Sequence, residues 1–418
     1  MSKAYLILEN GTVFEGEQFG YDGEAVGEVV FSTAMTGYLE TLSNPSYYGQ
    51  IVLQTFPLIG NYGVIQDEFG TGAVHLTAYI VREWCQEPSN FRNEGNLDFF
   101  LRENKIPGLH GVDTRALTRI LRDCGVMNAM ISKIAEVGDE KLAKLKSYKV
   151  KDAVKAVCSV PVLSTPPAPS VSQISAQESA DSETIRTDAA GQVLQSDGNC
   201  NLTVALWDFG NTRKLAARFA ALGCTVKKIR YDADADEIIK LAPDGVILSG
   251  GPGNPEENTE IISQIKKLCG IYAANPSGAA EQSDNANQPN TVNQTGTAKA
   301  QSPIKLPILA VGLGHQLLAL AMGGKITKLP FGHRGSNQTV TDNKTGRVFV
   351  TQQNHGYAVD SSSIASKAEE SYRNANDGSC EGLNYKEIPA FSLSFEPTDE
   401  NLEGFIEAMK GGSENAQK

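Results

Sequence analysis

Short apolar runs separated by turn residues fill the first 150 or so positions, and this spacing predicts strands ahead of helices. Tyr5–Leu8 and Thr12–Phe14 flank Asn10-Gly11, a strong hairpin signal because both turn residues tolerate positive φ. Val26–Ser32 reads as a further strand. Leu97–Asn104 and Thr114–Asp123 read as helices. In the second helix Leu117, Ile120 and Leu121 share one face, and Arg115, Arg119 and Arg122 occupy the other. From Asn201 strands and helices alternate. The strands are Val204–Trp207, Thr225–Ile229, Gly245–Leu248 and Leu306–Val311, and the helices are Thr212–Leu222 and Glu260–Leu268. Alternation of this kind predicts a parallel sheet with helices on both faces.

Two stretches break the pattern. Residues 159–200 are rich in Ser, Pro, Ala, Gln and Asp, which is too little apolar surface to offset the entropy of ordering, so a linker is expected. Residues from about 271 to 304 are Asn, Gln, Ser, Thr, Ala and Gly, and a disordered surface insertion is expected there. The resulting organisation is α/β: a mixed α+β domain over 1–158, the linker, and a doubly wound domain over 201–412. A chain of 418 residues suits two or three domains.

The net charge of −12 argues against a sequence-independent nucleic-acid binder, which needs a basic face. Seven scattered cysteines, with no C-x-x-C pair, argue against a disulfide framework or a structural zinc site. The N-terminal apolar run is too short for a signal peptide, and no stretch approaches the ~20 apolar residues that span a bilayer. A cytoplasmic protein without membrane contact is therefore expected.

The candidate chemistry lies at Pro307-Ile-Leu-Ala-Val-Gly-Leu-Gly-His-Gln316. An apolar strand enters Gly312, a helix follows from about Gly314 to Met322, and Gly323-Gly324 supply a C-cap. Strand, sharp turn and helix form the layout of a nucleophile elbow, at the carboxyl end of a sheet where ligands bind.

The surrounding motifs resemble the small, amidotransferase-type subunit of carbamoyl phosphate synthetase. In the second half these are Trp-Asp-Phe-Gly at 207–210, Leu-Ser-Gly-Gly-Pro-Gly-Asn-Pro at 248–255, Leu-Gly-His-Gln at 313–316, Phe-Gly-His-Arg-Gly at 331–335 and Gln-Asn-His-Gly-Tyr-Ala-Val-Asp at 353–360. In the first half they are Val-Gly-Glu-Val-Val-Phe at 26–31, Met-Thr-Gly-Tyr at 35–38, Asn-Pro-Ser-Tyr at 44–47, Ile-Gly-Asn-Tyr-Gly at 59–63 and Asp-Thr-Arg-Ala-Leu-Thr-Arg at 113–119. The first-half set separates this subunit from other class I amidotransferases.

The resemblance implies a cysteine at the elbow, a histidine base and a carboxylate that orients it. This chain has Gly312, Glu396 and Thr398 at those positions, so glutamine hydrolysis is expected to be lost. Cys269, at a helix end before the insertion, is not placed to substitute. Eight positions match the family's glutamine contacts, Ser46, Gly251, Gly253, Leu313, Gln316, Asn354, Gly356 and Tyr357, with Tyr357 standing where the family more often has Phe; Gly251 and Gly253 are equally open to the reading of a tight Pro-Gly turn, and Gln316 to that of an ordinary polar residue on the helix's first turn. The resemblance also implies a large-subunit partner that carries ATP and divalent metal, with products feeding arginine and pyrimidine synthesis. No cofactor is expected in this chain, and its sequence lacks the P-loop pattern. Free ammonia would then be the nitrogen source. The alternative is a catalytically dead paralogue that binds glutamine or acts as a scaffold, or a degraded duplicate beside an intact copy. His315, His333 and His355 are far apart in sequence without ligand spacing, so no metal is expected, and His75 and His110 are expected to be structural or surface residues. The arginine stripe is open to two readings, a solvated face or a contact with the large subunit.

Overall fold

The computed structural model describes residues 2–69, 73–158, 184–185, 202–270 and 306–416. The insertion expected at about 271–304, and the linker apart from Thr184–Ile185, lie outside the described residues.

The N-terminal domain is a closed seven-stranded barrel, an architecture the strand pattern alone did not specify. Around it run Lys3–Leu8, Val13–Gly20, Pro107–His110, Ala78–Ile80, Gln50–Gln54, Ala25–Ser32 and Met127–Ser132, the last pairing back to the first. The Asn10-Gly11 hairpin pairs Ile7 with Val13. Alternate strand residues feed two cores, as the two-residue period of a strand requires. Leu6, Leu8, Val29, Ile51, Leu53 and Ile131 pack with Leu117 and Leu121 of helix Thr114–Cys124. Val30, Val52, Tyr79 and Val81 pack with Leu97 and Leu101 of helix Leu97–Glu103.

The C-terminal domain is built on one ten-stranded sheet. Its parallel part, in order, is Thr225–Ile229, Thr203–Trp207, Gly245–Leu248, Ile308–Val311 and Ala390–Leu393. The inner strands Thr203–Trp207, Gly245–Leu248 and Ile308–Val311 are buried on both faces, hence their continuous apolar runs, whereas Thr225–Ile229 carries Lys227 and Lys228 at partly exposed positions. Ala205, Trp207, Val246, Leu248 and Ala310 face helices Thr259–Leu268 and Leu313–Ala321. Val204, Leu206, Ile247 and Leu309 face helix Arg213–Ala221 and Leu402, Phe405 and Met409 of the terminal helix Asp399–Ala416. Thr184–Ile185 pairs antiparallel at the Thr225–Ile229 edge, inside the segment expected to be linker. The sheet continues on the other side as antiparallel strands Cys380–Tyr385, Val348–Asp360, Lys325–Asp342 and Ala368–Asn374. The sequence pattern did not disclose this extension, because the Lys325–Asp342 ladder is interrupted by two register shifts.

The antiparallel extension holds the two domains together. Thr33 donates its backbone N–H to the Arg334 carbonyl at 3.1 Å, and its hydroxyl meets Asn337 at 2.7 Å. Val126 donates to the Pro330 carbonyl at 2.7 Å, and Phe31 stacks on Phe331 with ring centroids 5.8 Å apart. The Lys328–Glu28 ion pair at 2.6 Å is half exposed and contributes at most about 1 kcal/mol. Backbone bonds and ring packing therefore do most to fix the junction.

Candidate functional site

At the elbow, Gly312 adopts φ 55° and ψ −115° as the N-cap of helix Leu313–Ala321. Neighbouring strand ends clamp it from both sides. Gly312 donates its N–H to the Leu393 carbonyl at 2.8 Å, and Gly314 donates to the Ser249 carbonyl at 3.0 Å. The helix can lie this close only because Gly314 has no side chain: a Cβ there would sit 2.4 Å from the Leu248 carbonyl oxygen. At Gly312 the constraint is different. A Cβ would meet nothing nearer than the Gly250 Cα at 3.4 Å, so there is room, but the positive φ strains any L-residue. Gly312→Cys should therefore fold while losing about 1–3 kcal/mol, read as a lower urea midpoint. A midpoint equal to or above the parent's would remove the argument that glycine relaxes this turn.

The elbow opens into a cavity of about 590 Å³ between the domains. All eight positions proposed from sequence as glutamine contacts line it: Ser46 from the barrel domain, and Gly251, Gly253, Leu313, Gln316, Asn354, Gly356 and Tyr357 from the sheet domain. Asn44 holds the Ser46 loop by accepting from its backbone N–H at 3.0 Å. Gly251 is fixed by space, since a Cβ would fall 2.1 Å from the Phe209 carbonyl oxygen. Gly253 is fixed by its φ of 92°. Gln316 is buried and donates through Nε2 to the Tyr357 carbonyl at 2.9 Å, so it braces the wall of the cavity as well as lining it.

Glu396 lines the same cavity, while Thr398 does not. Burial raises the Glu396 pKa, opposed by the positive charges of Lys214 and Arg218, supported by Glu40 and opposed by a hydrogen bond with Asn211. The Thr398 hydroxyl is engaged elsewhere. It bonds to Asn401 Oδ1 at 2.9 Å, and Asn401 Oδ1 also accepts from the Thr398 N–H at 3.0 Å, an arrangement at the start of the terminal helix. Cys269 is the C-cap of helix Thr259–Leu268, away from the cavity lining, and burial pushes its thiol up to about 12. Among the described residues no cysteine forms a disulfide.

Sequence reasoning gave no site role to Arg334, Ser394 or Asn211, which also line the cavity. The signal for Arg334 was available inside Phe-Gly-His-Arg-Gly. It pairs opposite Asn354 across the Lys325–Asp342 and Val348–Asp360 ladder. Its guanidinium donates to the Phe331 carbonyl at 2.7 Å, and burial lowers its pKa.

One register step away, His333 pairs opposite His355, a proximity that the absence of ligand spacing in the sequence did not reveal. Their rings meet edge-on with centroids 5.0 Å apart. One ligand-type atom from each of His333, His355 and Glu381 lies within 4.8 Å of the others. His333 uses both ring nitrogens, donating to Asp377 at 2.8 Å and to Glu381 at 2.9 Å. His355 Nε2 faces the other Glu381 oxygen at 3.4 Å, and Asn374 donates to Glu381 at 3.0 Å. Burial opposes charge on His333, but the Asp377 and Glu381 hydrogen bonds outweigh it and push its pKa up to about 9. Burial likewise acts against Glu381, yet His355 and His333 hold its pKa down to about 2. As these side chains stand, the donor set forms an ion network, with an imidazolium between two carboxylates. His315 stands beside it, paired through Nδ1 with the Ser392 hydroxyl at 2.7 Å, and burial lowers its pKa to about 3. His110 is half-buried and sits edge-on to Phe19 at 5.7 Å, and His75 is half-buried. No described helix is long and apolar enough to cross a membrane.

Residues 6–131 match the carbamoyl-phosphate synthase small chain, CPSase domain, and residues 205–273 and 285–398 match glutamine amidotransferase class-I. The carbamoyl phosphate synthase small chain of Clostridium perfringens is 40% identical over 399 residues, covering 94% of each chain. That of Syntrophotalea carbinolica is 39% identical over 399 residues, covering 94% of this chain and 92% of the relative. That of Staphylococcus epidermidis is 35% identical over 429 residues, covering 100% of this chain and 99% of the relative. The barrel, the amidotransferase sheet and relatives matched across nearly their full length establish that the chain belongs to the carbamoyl phosphate synthase small chain family.

Proposed function

We propose that this chain serves as the small subunit of a carbamoyl phosphate synthetase without hydrolysing glutamine, so that free ammonia supplies the nitrogen. The observation that carries this reading is Gly312, a residue with no nucleophile at the elbow. Nucleophilic amide cleavage needs an activated thiol or hydroxyl there. The base position offers a carboxyl, Glu396, and the orienting position offers a hydroxyl committed to the helix start. Chemistry requiring ATP and divalent metal would belong to the large-subunit partner. Its carbamoyl phosphate would feed arginine and pyrimidine synthesis.

A second reading follows from the retained cavity wall. Binding and catalysis are separable, so an intact set of contact positions supports a glutamine-binding or scaffolding module. One experiment tests both. The purified chain with its cognate large subunit is given glutamine or ammonium, and carbamoyl phosphate is measured. Synthesis from ammonium but not from glutamine is the expected result, and comparable synthesis from glutamine would refute the proposal. Calorimetric glutamine binding by a chain that forms no complex would favour the second reading.

A further inference from the structure

Spacing along the chain predicted no metal, but spacing is blind to donors that pairing across a ladder brings together. His333 and His355 stand opposite each other on adjacent strands, and Glu381 reaches them from the next strand, Cys380–Tyr385. One nitrogen or oxygen of each lies within 4.8 Å of the others. His333 Nδ1 is 2.9 Å from Glu381 Oε1, and His355 Nε2 is 3.4 Å from Glu381 Oε2. Those separations bracket the edge of about 3.3 Å that a tetrahedron with metal–ligand bonds of ~2.0–2.1 Å requires. Gln353 Oε1 adds a further oxygen, 3.2 Å from His355 Nε2.

The outer polar atoms of these side chains are held as those of metal ligands are. His333 Nε2 donates to Asp377 Oδ2 at 2.8 Å, and Asp377 is itself fixed by the Ser379 N–H at 3.0 Å and the Ser379 hydroxyl at 2.7 Å. His355 Nδ1 donates to the Tyr357 carbonyl at 2.9 Å, and Asn374 donates to Glu381 Oε1 at 3.0 Å. Each ring thus spends one nitrogen on an outer oxygen and turns the other inward, the arrangement that sets the tautomer of a ligating histidine. Two fully buried atoms here lack a hydrogen bond among the described residues. One is Glu381 Oε2, which has only the 3.4 Å approach of His355. The other is His315 Nε2 on the elbow helix, and His315 senses the charges of Glu381 and His355. Unpaired buried polar atoms cost free energy that a cation bound among them would recover.

We propose that His333, His355 and Glu381 form a binding site for a divalent ion of the zinc class, with His315 Nε2 as the free donor available to complete it. Two imidazoles and a carboxylate are a zinc donor set, whereas Mg²⁺ and Ca²⁺ call for oxygen ligands. The ion takes the place of the proton that His333 shares with Glu381, and that proton leaves to solvent. Its way in is past His355, which lines the interdomain cavity. The role of the ion is structural: it pins the elbow helix Leu313–Ala321 to the antiparallel strands that join the two domains. The site stands or falls independently of glutamine hydrolysis and of any large subunit.

The test titrates the full chain, stripped with a chelator, with Zn²⁺ and Co²⁺, with thermal melts in parallel. Wild type should take up one equivalent of Zn²⁺ and melt at a higher temperature with it. Bound Co²⁺ should show ligand-field bands without the charge-transfer band of a cobalt–thiolate bond. Asp377→Asn, which keeps every ligand, should bind Zn²⁺ about 10–100-fold more weakly. His333→Asn should lose the equivalent, and His75→Gln/His110→Gln should keep it. Asp377 is 40% exposed, so its variant keeps the proposal testable if His333→Asn fails to fold. No stoichiometric Zn²⁺ in wild type, or undiminished affinity in the folded Asp377→Asn and His333→Asn variants, overturns the site and leaves these residues as an ion network alone. A cobalt–thiolate band overturns it in favour of cysteine ligands.

Discussion

Gly312→Cys combined with Glu396→His and Thr398→Glu should release glutamate from glutamine about 10²–10⁴-fold faster than Gly312→Cys alone. The single variant supplies sulfur but no working base. Its thiol would share the cavity with Glu396, whose carboxylate opposes a second negative charge and whose pKa burial already raises. A carboxylate also has no imidazolium proton to deliver to the departing ammonia. Most of the gain should come from Glu396→His, because residue 396 lines the cavity and residue 398 does not. Thr398→Glu carries a cost of about 1 kcal/mol, since the hydroxyl paired with Asn401 is lost from the helix start. Equal glutaminase rates in the single and triple variants would show that histidine is not what the site lacks. A triple variant at background would mean that the cavity no longer seats the amide over the elbow.

Glu381→Gln should destabilise the sheet domain by about 3–5 kcal/mol, the usual result of leaving a buried partner charge uncompensated. Glu381 is fully buried, and its two oxygens serve His333 and His355. The wild-type pH profile follows from the same groups. His333 has its pKa raised from 6.5 to about 9, so its stabilisation is complete below pH 6.5 and is lost as pH rises through 9. Glu381 has its pKa lowered from 4.5 to about 2, so its contribution is complete above pH 4.5 and is lost as pH falls through 2. Both are whole between pH 4.5 and 6.5, where urea midpoints should plateau. In Glu381→Gln the alkaline decline should flatten, because His333 keeps only Asp377 as a charged partner. A loss under about 1 kcal/mol, or an unchanged alkaline slope, would show that the network does not hold a charged imidazolium.

The sequence by itself determined the absence of a nucleophile, because no folding can place a sulfur on Gly312. It also determined the doubly wound half of the fold. The inner parallel strands announce themselves as continuous apolar runs, and the positive-φ elbow as a glycine between strand and helix. The eight cavity positions were legible too, through the resemblance of the short motifs that hold them to those of the family. Only the tertiary structure decided what depends on register. The Lys325–Asp342 and Val348–Asp360 ladder brings Arg334, Asn354 and His355 to the cavity wall, while His333 lies off it and gathers with His355 at Glu381. Two register shifts precede that pairing being readable from the chain, so side-chain alternation along either strand alone does not reveal it. Thr398 likewise held a site position in sequence but serves the terminal helix in space, since a hydroxyl takes the nearest backbone and side-chain partners available to it. Local covalent identity fixes which chemistry a position cannot perform, whereas long-range pairing fixes which side chains share a site.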